Sequence, residues 1–571
     1  MKQMIKFKDI PYTQPNFEVL KNEFEALIQA FEVEKEAREL YAIFQQINQI
    51  QTDFRTAYHL AYVLNAADFS IESHQQKVKY FDTHFPQFHE LICQFYRVLL
   101  QHPQRPAIES KIGKQYFAIA AKDISTSSPK LIPLKQEENK ILGEYHKKLS
   151  KQTMLYEGKE VPVWKMSKQF ASPDRSIRKK VTMAFWDKYL QDAPQLEATF
   201  EELVQIRHRK AIETGYKNFT EVAHAKRLGF GKEEIQNFSR LIQKYFIPLQ
   251  EKLHLQKIKR LNIDTLQLWD NSLQFADGNP KIEGNFSQIL TKFQNLFSSI
   301  SSELGGLFEE MLQSGYIDAE QRANKYTGYQ KITLPKHHVS YIFTQITGEV
   351  GDIDFLVHEI GHAFQVHKSK EVIEKAFEYT YGAIELLEIH STTLEFLALP
   401  HYSTFFNKAD QTKAHTLFFN TIIHSFLAAS AYNEFQQKIY ENPNGGINTR
   451  NKYWEEIREK YFPSFNPSPN VSHPYFQSGK GWQKIRHIFM MPFYMIDYSL
   501  ARVCAIQFWM RSEQEGFEVA WRDYVRLCEK GGSISFLEAL DLMGFDSPFE
   551  EETIRKIAAF LEESLDKYCV D

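Results

Sequence analysis

Apolar residues recur every three or four positions along most of this chain, which is the spacing of one buried face of an α-helix. One such face begins at Ile235, and its pattern predicts a helix that ends at Pro248. Another lies between Ile177 and Phe185. It follows Ser172-Pro173-Asp174, a sequence typical of a helix start with serine as N-cap and proline in the first turn. These patterns predict a mainly α protein.

Strand patterns are few. The clearest is His338–Thr347, rich in β-branched and aromatic residues and closed by Gly348. The segment Pro463–Gly481 carries prolines and glycines and is predicted to be a loop. We place a division between an N-terminal helical region, 1–165, and a region that carries the candidate chemistry, 166–571, although no flexible linker marks it.

Composition excludes several classes of protein. The chain has 571 residues, 25% of them charged, and a net charge of −4, with Lys and Arg spread among Asp and Glu. No basic stripe for nucleic acid is present. The most apolar long stretch, Thr416–Tyr432, contains Asn420 and His424 and therefore fits a buried helix better than a membrane span.

The cysteines and the N-terminal residues bear on location. Four cysteines are widely scattered without a C-x-x-C pair, which is typical of reduced thiols and predicts a cytoplasmic protein. The first twenty residues lack the apolar stretch of a signal peptide. We expect a monomer that has no membrane partner.

The first candidate for chemistry is the H-E-x-x-H motif His358-Glu359-Ile360-Gly361-His362. Residues four apart lie on one face of a helix, so both imidazoles can reach one cation. Zinc accepts neutral imidazole nitrogen, and its catalytic sites use three protein ligands with one position open. Glu359 lies beside the first ligand, where it can accept a proton from water.

The surrounding residues support a helix at the motif. Apolar residues from Ile353 to Phe364 form a stripe at helical spacing, and Asp352 and Asp354 lie at the N-terminal end, where the helix dipole favours anions. Gly361 interrupts the stripe at a cost of about 1 kcal/mol relative to alanine. We therefore expect another backbone to approach closely at Gly361.

The motif needs a third ligand. With 20 histidines in the chain, H-E-x-x-H arises by chance in roughly one such chain in twenty. The stretch from Glu385 to Glu395 reads as a second helix, on which Glu388 and Glu395 share a face with Ser391 between them. Glu388 can bind zinc, and Glu395 can hydrogen-bond a ligand imidazole.

Other interpretations of this second helix stay open. Its carboxylates could form a solvated acidic face. Glu385 is the main competitor of Glu388 for the ligand role. His390 could also bind metal, although it points away from Glu388 on a helix.

Together the two motifs, H-E-x-G-H and E-x-x-S-x-x-x-E at 388–395, resemble those of the oligoendopeptidase F group of the thimet oligopeptidase family. The resemblance covers roughly residues 165 to 560 and is weaker before that. It implies an elongated helical bowl or clamshell with a deep channel, a small antiparallel sheet beside the zinc helix, and one zinc ion per chain. His358, His362 and Glu388 would be its ligands, with Glu395 and Asp354 as their outer partners.

The segment from Tyr341 to Gly348 resembles the family's edge strand, which pairs with substrate backbone. The resemblance implies peptide contacts from five residues: Tyr341, Phe343, Thr344, Gln345 and Gly348. A buried strand without substrate contact is the alternative. Before this strand, where the family often has a G-G-[FY]-C-T-like run, the chain departs from the pattern with Thr327-Gly328-Tyr329-Gln330-Lys331.

The stretch from Trp482 to Tyr498 resembles the family's His and Tyr segment over the active site. Neutral donors there can stabilise the oxyanion formed when water attacks a peptide carbonyl. The resemblance gives this role to His487 and Tyr498, with Tyr494 nearby. Without the resemblance, both tyrosines would be interpreted as packing residues.

The implied activity is hydrolysis of internal bonds in short, unstructured oligopeptides by a metal-activated water. A zinc carboxypeptidase or dipeptidase on a related scaffold is the nearest alternative, and E-x-x-S-x-x-x-E argues against it. A catalytically silent peptide-binding protein with structural zinc is the alternative from another class. The presence of Glu359 argues against that, because a structural site does not need the carboxylate.

Overall fold

A computed structural model describes residues 4–150, 152–326, 328, 330–464 and 473–570. Helices dominate, as predicted. The N-terminal half of the described helices and its hairpin comprise α1 (Phe17–Val33), α2 (Ala37–Ala67), α3 (Glu72–Gln101), α4 (Arg105–Ile112), α5 (Lys114–Ser125), α6 (Leu131–Ser150), β1 (Thr153–Tyr156), β2 (Lys159–Pro162), α7 (Ser167–Phe170), α8 (Arg175–Glu213), α9 (Phe219–Ala225) and α10 (Lys232–Leu261).

The second half of the chain carries the candidate motifs. Its elements are α11 (Phe286–Ile300), α12 (Ser302–Gln313), β3 (Ile317–Asp318), β4 (Gln330–Leu334), β5 (Val339–Phe343), α13 (Gly351–Lys368), α14 (Lys370–Lys375), α15 (Ile384–Ala398), α16 (Lys408–Glu441), α17 (Gly446–Tyr461), α18 (Pro474–Gln477), α19 (Arg486–Met490), α20 (Met495–Glu515), α21 (Phe517–Lys530), α22 (Phe536–Met543) and α23 (Glu551–Tyr568).

The buried apolar residues form two main cores. One lies among α1 to α5, with phenylalanines such as Phe24, Phe54 and Phe88 packed against one another. The larger core includes α13, α15, α16 and α20, so the helices that carry the candidate motifs are the best-buried part of the chain. Burial on this scale fixes helix positions, because close-packed interiors allow little movement.

Two predicted helix boundaries are wrong. The helix predicted to end at Pro248 continues as α10 to Leu261, because tertiary packing of Leu249 and Leu253 outweighs the local cost of proline. The N-cap of α8 is Asp174, whose side chain accepts a hydrogen bond from the Ser176 amide, and not Ser172. Aspartate is as good an N-cap as serine, so the local pattern allowed either position.

The predicted strand exists as β5, but the expected edge position is wrong. Three strands form a mixed sheet in the order β3-β5-β4, in which β5 pairs parallel with β3 and antiparallel with β4. The expected small antiparallel sheet is present as the β4–β5 pair, and the short β3 adds a parallel pairing. The central strand has partners on both sides, so the free edge of the described sheet on the β4 side belongs to Gln330–Leu334.

The apolar stretch Thr416–Tyr432 lies inside α16 and contributes residues such as Phe419, Ile423 and Phe426 to the core. This burial confirms the prediction of an internal helix. Within the described residues, no helix has both the length and the apolarity that a membrane crossing requires.

Candidate metal centre

Two packed helices bring three potential metal ligands together. On α13, His358 and His362 lie one turn apart, and α15 supplies Glu388 beside them. The Oε2 atom of Glu388 lies 3.3 Å from Nε2 of His358 and 3.5 Å from Nε2 of His362. Glu388 and His362 are buried. The potential ligand atoms of all three residues lie within 4.8 Å of one another, so the group could hold a metal ion.

Gly361 permits this approach of the two helices. A Cβ atom at Gly361 would lie 2.7 Å from the Cα of Ser391 and 3.0 Å from the carbonyl oxygen of His390, both in α15. Real Cβ atoms do not come that close to backbone. The expectation that another backbone approaches Gly361 is therefore confirmed, and the glycine sets the spacing between the ligand helices.

We expect Gly361→Ala to lower the free energy of unfolding by about 1–3 kcal/mol, because the methyl group overpacks a backbone contact. Denaturant unfolding measures the change. Gly306→Ala is the matched control, since that glycine is also helical and a Cβ there meets nothing within 4 Å. It should stabilise the protein by up to about 1 kcal/mol through helix propensity. Equal stability of both variants would contradict the close contact.

Outer partners orient two of the ligands. The Nδ1–H of His358 donates to Oε1 of Glu395 at 2.6 Å, which leaves Nε2 as the atom that faces Glu388. Ser391 donates to Oε2 of Glu388 at 3.1 Å, and the hydroxyl of Tyr494 donates to its Oε1. Such partners fix the tautomer and the orientation of ligand side chains.

Asp354 has a different position from the one expected. It accepts a hydrogen bond from the hydroxyl of Tyr402, and no hydrogen bond joins it to a ligand imidazole in the described structure. Burial raises the pKa of Asp354 to about 8. The Nδ1 atom of His362 is buried without a hydrogen-bond partner among the described residues. Because its hydrogen bond goes to Tyr402, the carboxyl of Asp354 supports the position of α13 and does not orient a ligand imidazole.

Two of the three ligand groups, Glu388 and His362, have the charge that a cation requires, and the third holds a proton that a cation would replace. Burial opposes ionisation of Glu388, but the two imidazoles outweigh it and hold the pKa of Glu388 well below its usual range. Burial lowers the pKa of His362 to about 4, so this ring is neutral at pH 7. Burial also opposes charge on His358, but Glu388 and Glu395 raise the pKa of His358 well above its usual value. A cation bound there would replace that proton.

Glu359 lies between the two histidines on α13 and is only 7% exposed. Burial raises the pKa of Glu359 to about 7, opposed by His358 and reinforced by Glu388. A carboxylate whose pKa lies near neutrality can both accept and release a proton at pH 7. A cation in the site would lower this pKa, because an opposite charge favours the ionised form.

The two competing ligands lie outside the group. Glu385 is buried one turn before Glu388, and its charge acts on Arg227 and Asp497. His390 is also buried on α15 but belongs to no set of convergent ligand atoms in the described structure. Of the three candidate ligands on α15, which are Glu385, Glu388 and His390, the geometry therefore favours Glu388.

The three residues of the predicted His and Tyr segment lie together beside the ligands. The Tyr498 ring lies 6.2 Å from the rings of both His358 and His487, and 5.1 Å from that of Tyr494. Burial and the nearby carboxylates raise the pKa of Tyr498 well above its usual value, so its hydroxyl stays protonated. Burial lowers the pKa of His487, which favours the neutral ring. Both side chains are potential neutral donors.

The predicted substrate-binding strand is occupied by the protein itself. Tyr341 and Phe343 are buried and pair with Ile332 and Gln330 of β4. On the opposite side, the amide of Thr344 donates to the carbonyl of Asp318.

Gln345 and Gly348, after the strand, also have partners within the protein. The side-chain amide of Gln345 donates to the carbonyl of Tyr326. The amide of Gly348 donates to Asp352 and its carbonyl accepts from Ile282. Because β5 is central, the expectation that Tyr341 and Phe343 pair with a peptide backbone is wrong. Thr344, Gln345 and Gly348 follow the strand, and for them peptide contact stays a prediction.

Sequence reasoning missed residues on the β4 side of the site. The amide of Ile342 donates toward β3, so by antiparallel alternation the backbone groups of its partner Lys331 face the free edge. Thr333 lies two residues further along β4, and its carbonyl accepts a hydrogen bond of 2.6 Å from Nδ1 of His59 on α2. Burial lowers the pKa of Lys331 to about 8, opposed by Glu359 and Glu388. Lys331 ends the run that departs from the family's G-G-[FY]-C-T-like pattern, and His59 stands in no motif.

The predicted loop Pro463–Gly481 includes residues 465–472, which lie outside the described residues. Its second part forms α18, and Tyr475 and Trp482 on either side of Gly479 are fully buried. A Cβ atom at Gly479 would lie 2.5 Å from the carbonyl oxygen of Asn451. This glycine serves close packing at a positive φ of 69°.

Comparisons with known proteins give two family matches. The family model described as Peptidase family M3 matches residues 169–559, and that of the Peptidase M3 N-terminal domain matches residues 7–127. A comparison with curated proteins gave no match.

Solved structures match over nearly the whole chain. PZ peptidase A with inhibitor 2 is 32% identical, with a TM-score of 0.94 over 99% of this chain and 100% of that one. A candidate oligoendopeptidase F is 30% identical, with a TM-score of 0.95 over 99% of both chains. A candidate oligoendopeptidase F from Bacillus anthracis str. Ames is 29% identical, with a TM-score of 0.89 over 99% of both.

Proposed function

Because this chain belongs to peptidase family M3 and is a peptidase, we propose that it is a zinc-dependent endopeptidase that hydrolyses internal bonds of short, unstructured peptides. Membership confirms the resemblance noted in the two motifs. The observation that carries the finer proposal is the convergence of His358, His362 and Glu388 beside the buried carboxyl of Glu359.

The ligand set fits one zinc ion per chain. A tetrahedral zinc with bonds of roughly 2.0–2.1 Å separates its ligand atoms by about 3.3–3.4 Å. The Glu388 carboxylate lies 3.3 and 3.5 Å from the two imidazole nitrogens. Two imidazoles and one carboxylate are also a donor set of catalytic zinc. When bound, zinc would supply Lewis acidity that polarises a peptide carbonyl and acidifies water.

Glu359 is the proposed general base. Its carboxylate takes a proton from the attacking water and later transfers that proton to the leaving amine. Burial supports this double role, because it raises the pKa of Glu359 towards neutrality. No covalent intermediate is needed, so no serine or cysteine nucleophile is assigned.

His487 and Tyr498 are the proposed donors to the oxyanion. Each is a neutral donor in a buried site, where a hydrogen bond to developing charge is stronger than in water. Tyr494 has another part in this proposal. Its hydroxyl donates to Glu388, so Tyr494 orients a ligand while Tyr498 faces the substrate.

We expect Tyr498→Phe and His487→Ala each to lower kcat by about 10²–10³-fold, the usual effect of losing one oxyanion donor. KM should change little, because these bonds strengthen only as charge develops. Steady-state kinetics on a quenched fluorescent peptide measures both constants.

Tyr461→Phe is the matched control. That tyrosine is also buried and hydrogen-bonded, to Gln243 and Glu434, but it lies on α17 away from the motifs. Its loss should lower stability and leave kcat unchanged. A site variant that behaves like this control would be a packing residue only.

The free edge of β4 is the proposed binding strand for peptide backbone. Lys331 presents its amide and carbonyl there, and its side-chain charge interacts with Glu359. His59 closes the edge at Thr333, so pairing would be limited to the first residues of β4. Backbone pairing is largely independent of sequence, which supports a broad choice of peptides.

Backbone pairing at β4, in a channel like that of the oligoendopeptidases the chain resembles, would select peptides by their length. We expect cleavage of peptides of roughly 5–20 residues, the length that a strand in such a channel can span, and no cleavage of folded proteins. The test compares one flexible peptide with the same sequence inside a full-length, unfolded casein-like protein. Equal rates of internal cleavage would favour an open cleft.

A zinc carboxypeptidase or dipeptidase remains the second candidate, since such enzymes also use H-E-x-x-H with a later glutamate. A peptide blocked at both ends separates the two, because an exopeptidase needs a free terminus. Internal cleavage of the blocked peptide supports the proposal. Cleavage only after the blocks are removed would overturn it.

A cytoplasmic location is part of the proposal. All four cysteines are free thiols, three of them buried. Burial raises the pKa values of Cys93 to about 11 and of Cys569 to about 12, so neither is a reactive thiolate. Unpaired, unreactive thiols are typical of proteins in a reducing compartment.

A further inference from the structure

The turn before α20 has an unusual backbone conformation. Phe493 has a φ of 65°, in the left-handed region that favours glycine. Its side chain is only 4% exposed and packs against Tyr440, with ring centroids 5.7 Å apart. A bulky residue keeps such a conformation only where its surroundings impose it, and strain of this kind is concentrated at functional sites.

Two side chains from distant parts of the chain hold this turn. Gln436 of α16 accepts a hydrogen bond from the amide of Phe493 at 2.9 Å. Arg227, between α9 and α10, donates from Nη2 to the carbonyl of Phe493 at 3.3 Å and from Nη1 to Asp497. The side chains of Arg227 and Asp497 are 8% and 4% exposed. The planar guanidinium therefore joins the strained turn to the first turn of α20.

The bonds from Arg227 to Phe493 and Asp497 hold the segment that carries two site tyrosines. Asp497 stands between Tyr494, which precedes α20, and Tyr498, on its first turn. Tyr494 donates to the ligand Glu388, and Tyr498 lies beside His358. A rotation of this first turn would move both hydroxyls, and a displacement of 1 Å can cost about 10²-fold in rate.

Arg227 also interacts electrostatically with the helix that carries the third ligand. The carboxyl of Glu385, one turn before Glu388 on α15, interacts electrostatically with both Arg227 and Asp497. The arginine is thus linked by charge to the helix that carries the third ligand and by hydrogen bonds to the turn that leads to Tyr498. Arginine suits this task because its rigid fork bonds a carbonyl and a carboxylate at once.

On this geometry, and resting on the function proposed above, we propose that Arg227 is a positioning residue for catalysis. It holds the strained turn at Phe493 and the first turn of α20, and so keeps the Tyr498 hydroxyl where the oxyanion develops. Arg227 itself contacts no reacting atom. Its effect on turnover passes mainly through Tyr498, because of the two tyrosines on this turn only Tyr498 is a proposed oxyanion donor.

The test combines Arg227→Met with Tyr498→Phe in a double-mutant cycle. Arg227→Met should lower kcat by about 10²-fold, as for loss of one oxyanion donor, with KM and zinc content unchanged. In the Tyr498→Phe background the same change should lower kcat by less than about 3-fold, because coupled residues are not additive. Arg227→Lys should recover part of kcat, since one of the two bonds can re-form.

Binding of a phosphinic peptide, which resembles the tetrahedral oxyanion, gives a readout without turnover. Calorimetry should show about 10²-fold weaker binding to Arg227→Met, with little change for the matching amide peptide bound to a Glu359→Gln background. If the wild-type protein neither cleaves peptides nor binds the phosphinic compound, the proposed function has failed, and not the role of Arg227.

Arg178→Met is the matched control. Arg178 is 2% exposed, pairs with Asp270 at 2.8 Å and donates to the carbonyls of Ser172 and Pro173. It too is a buried arginine that clamps a turn, but at the start of α8, which carries no proposed site residue. Its loss should lower the melting temperature and leave kcat within about 2-fold, as for a substitution distant from the site.

Two results would overturn the proposal. One is that Arg227→Met lowers stability but leaves kcat at the control's level. The other is that the double variant loses kcat by the full product of the two single-variant losses, those of Arg227→Met and Tyr498→Phe. Should Arg227→Met fail to fold, Gln436→Met removes the other hold on Phe493 and must give the same kcat loss and the same non-additivity.

Discussion

Glu359→Gln is expected to lower kcat by about 10²–10⁴-fold, the contribution of a positioned general base. The substitution keeps the size of the side chain and removes its ability to accept a proton from water. The zinc content should stay at the wild-type level, because the amide leaves His358, His362 and Glu388 unchanged. Steady-state kinetics and metal analysis on the same preparation measure both quantities.

The matched control is Glu378→Gln. Glu378 is another carboxyl whose pKa burial raises, and it accepts hydrogen bonds from Tyr96 and Tyr116. An amide oxygen can still accept from both tyrosines, so this variant should keep full turnover. Near-normal turnover of Glu359→Gln would remove that residue from the mechanism.

Glu388→Ala is expected to weaken zinc binding by more than about 10²-fold, beyond the effect of losing an outer partner of a ligand. The reason is that two histidines alone leave zinc without its third protein ligand. Activity should fall with zinc content and return in part at high zinc concentration. Competition with a coloured chelator gives the dissociation constant.

Glu385→Gln serves as the control for zinc retention. It changes a buried carboxyl on the same helix that belongs to no ligand group in the described structure. This variant should bind zinc like the wild type. Full zinc occupancy in Glu388→Ala, or loss of zinc in Glu385→Gln, would move the ligand role away from Glu388.

The sequence predicted each half of the ligand group because that information is local, and the resemblance to the family motif joined the halves by giving Glu388 the ligand role. Helical spacing alone puts His358 above His362, and it puts Glu388, Ser391 and Glu395 on one face. Gly361 then indicated that a backbone would approach, and the close contact with Ser391 confirms it. Each of these inferences needs only neighbours within two helical turns.

The sheet could not be predicted in the same way. The residues of β5 have a strong strand pattern because both faces of the strand are buried, and a central strand and a covered edge strand give the same pattern. Which strands flank β5 depends on the two-residue β3 and on β4, too short or too mixed for a clear signal. Only the register of β4 against β5 identifies Lys331 as a residue of the free edge.

Contacts between distant helices could not be predicted from the sequence either. Arg227 is separated by 270 positions from its partner Asp497, and Tyr494 by 106 from Glu388. No local pattern predicts either pairing. The family motif pointed to both tyrosines, but only the packing of α20 on α15 distinguishes Tyr494, bonded to a ligand, from Tyr498, beside the metal centre.

The measurement that tests the central claim most directly is mass spectrometry of the products from a pool of peptides blocked at both ends. The pool is incubated with wild-type enzyme, with enzyme stripped by chelator, and with stripped enzyme given zinc. The account predicts internal cleavage by the wild type, none after stripping, and recovery with zinc. Internal cleavage that persists without metal, or intact blocked peptides beside trimmed unblocked ones, would contradict a zinc endopeptidase.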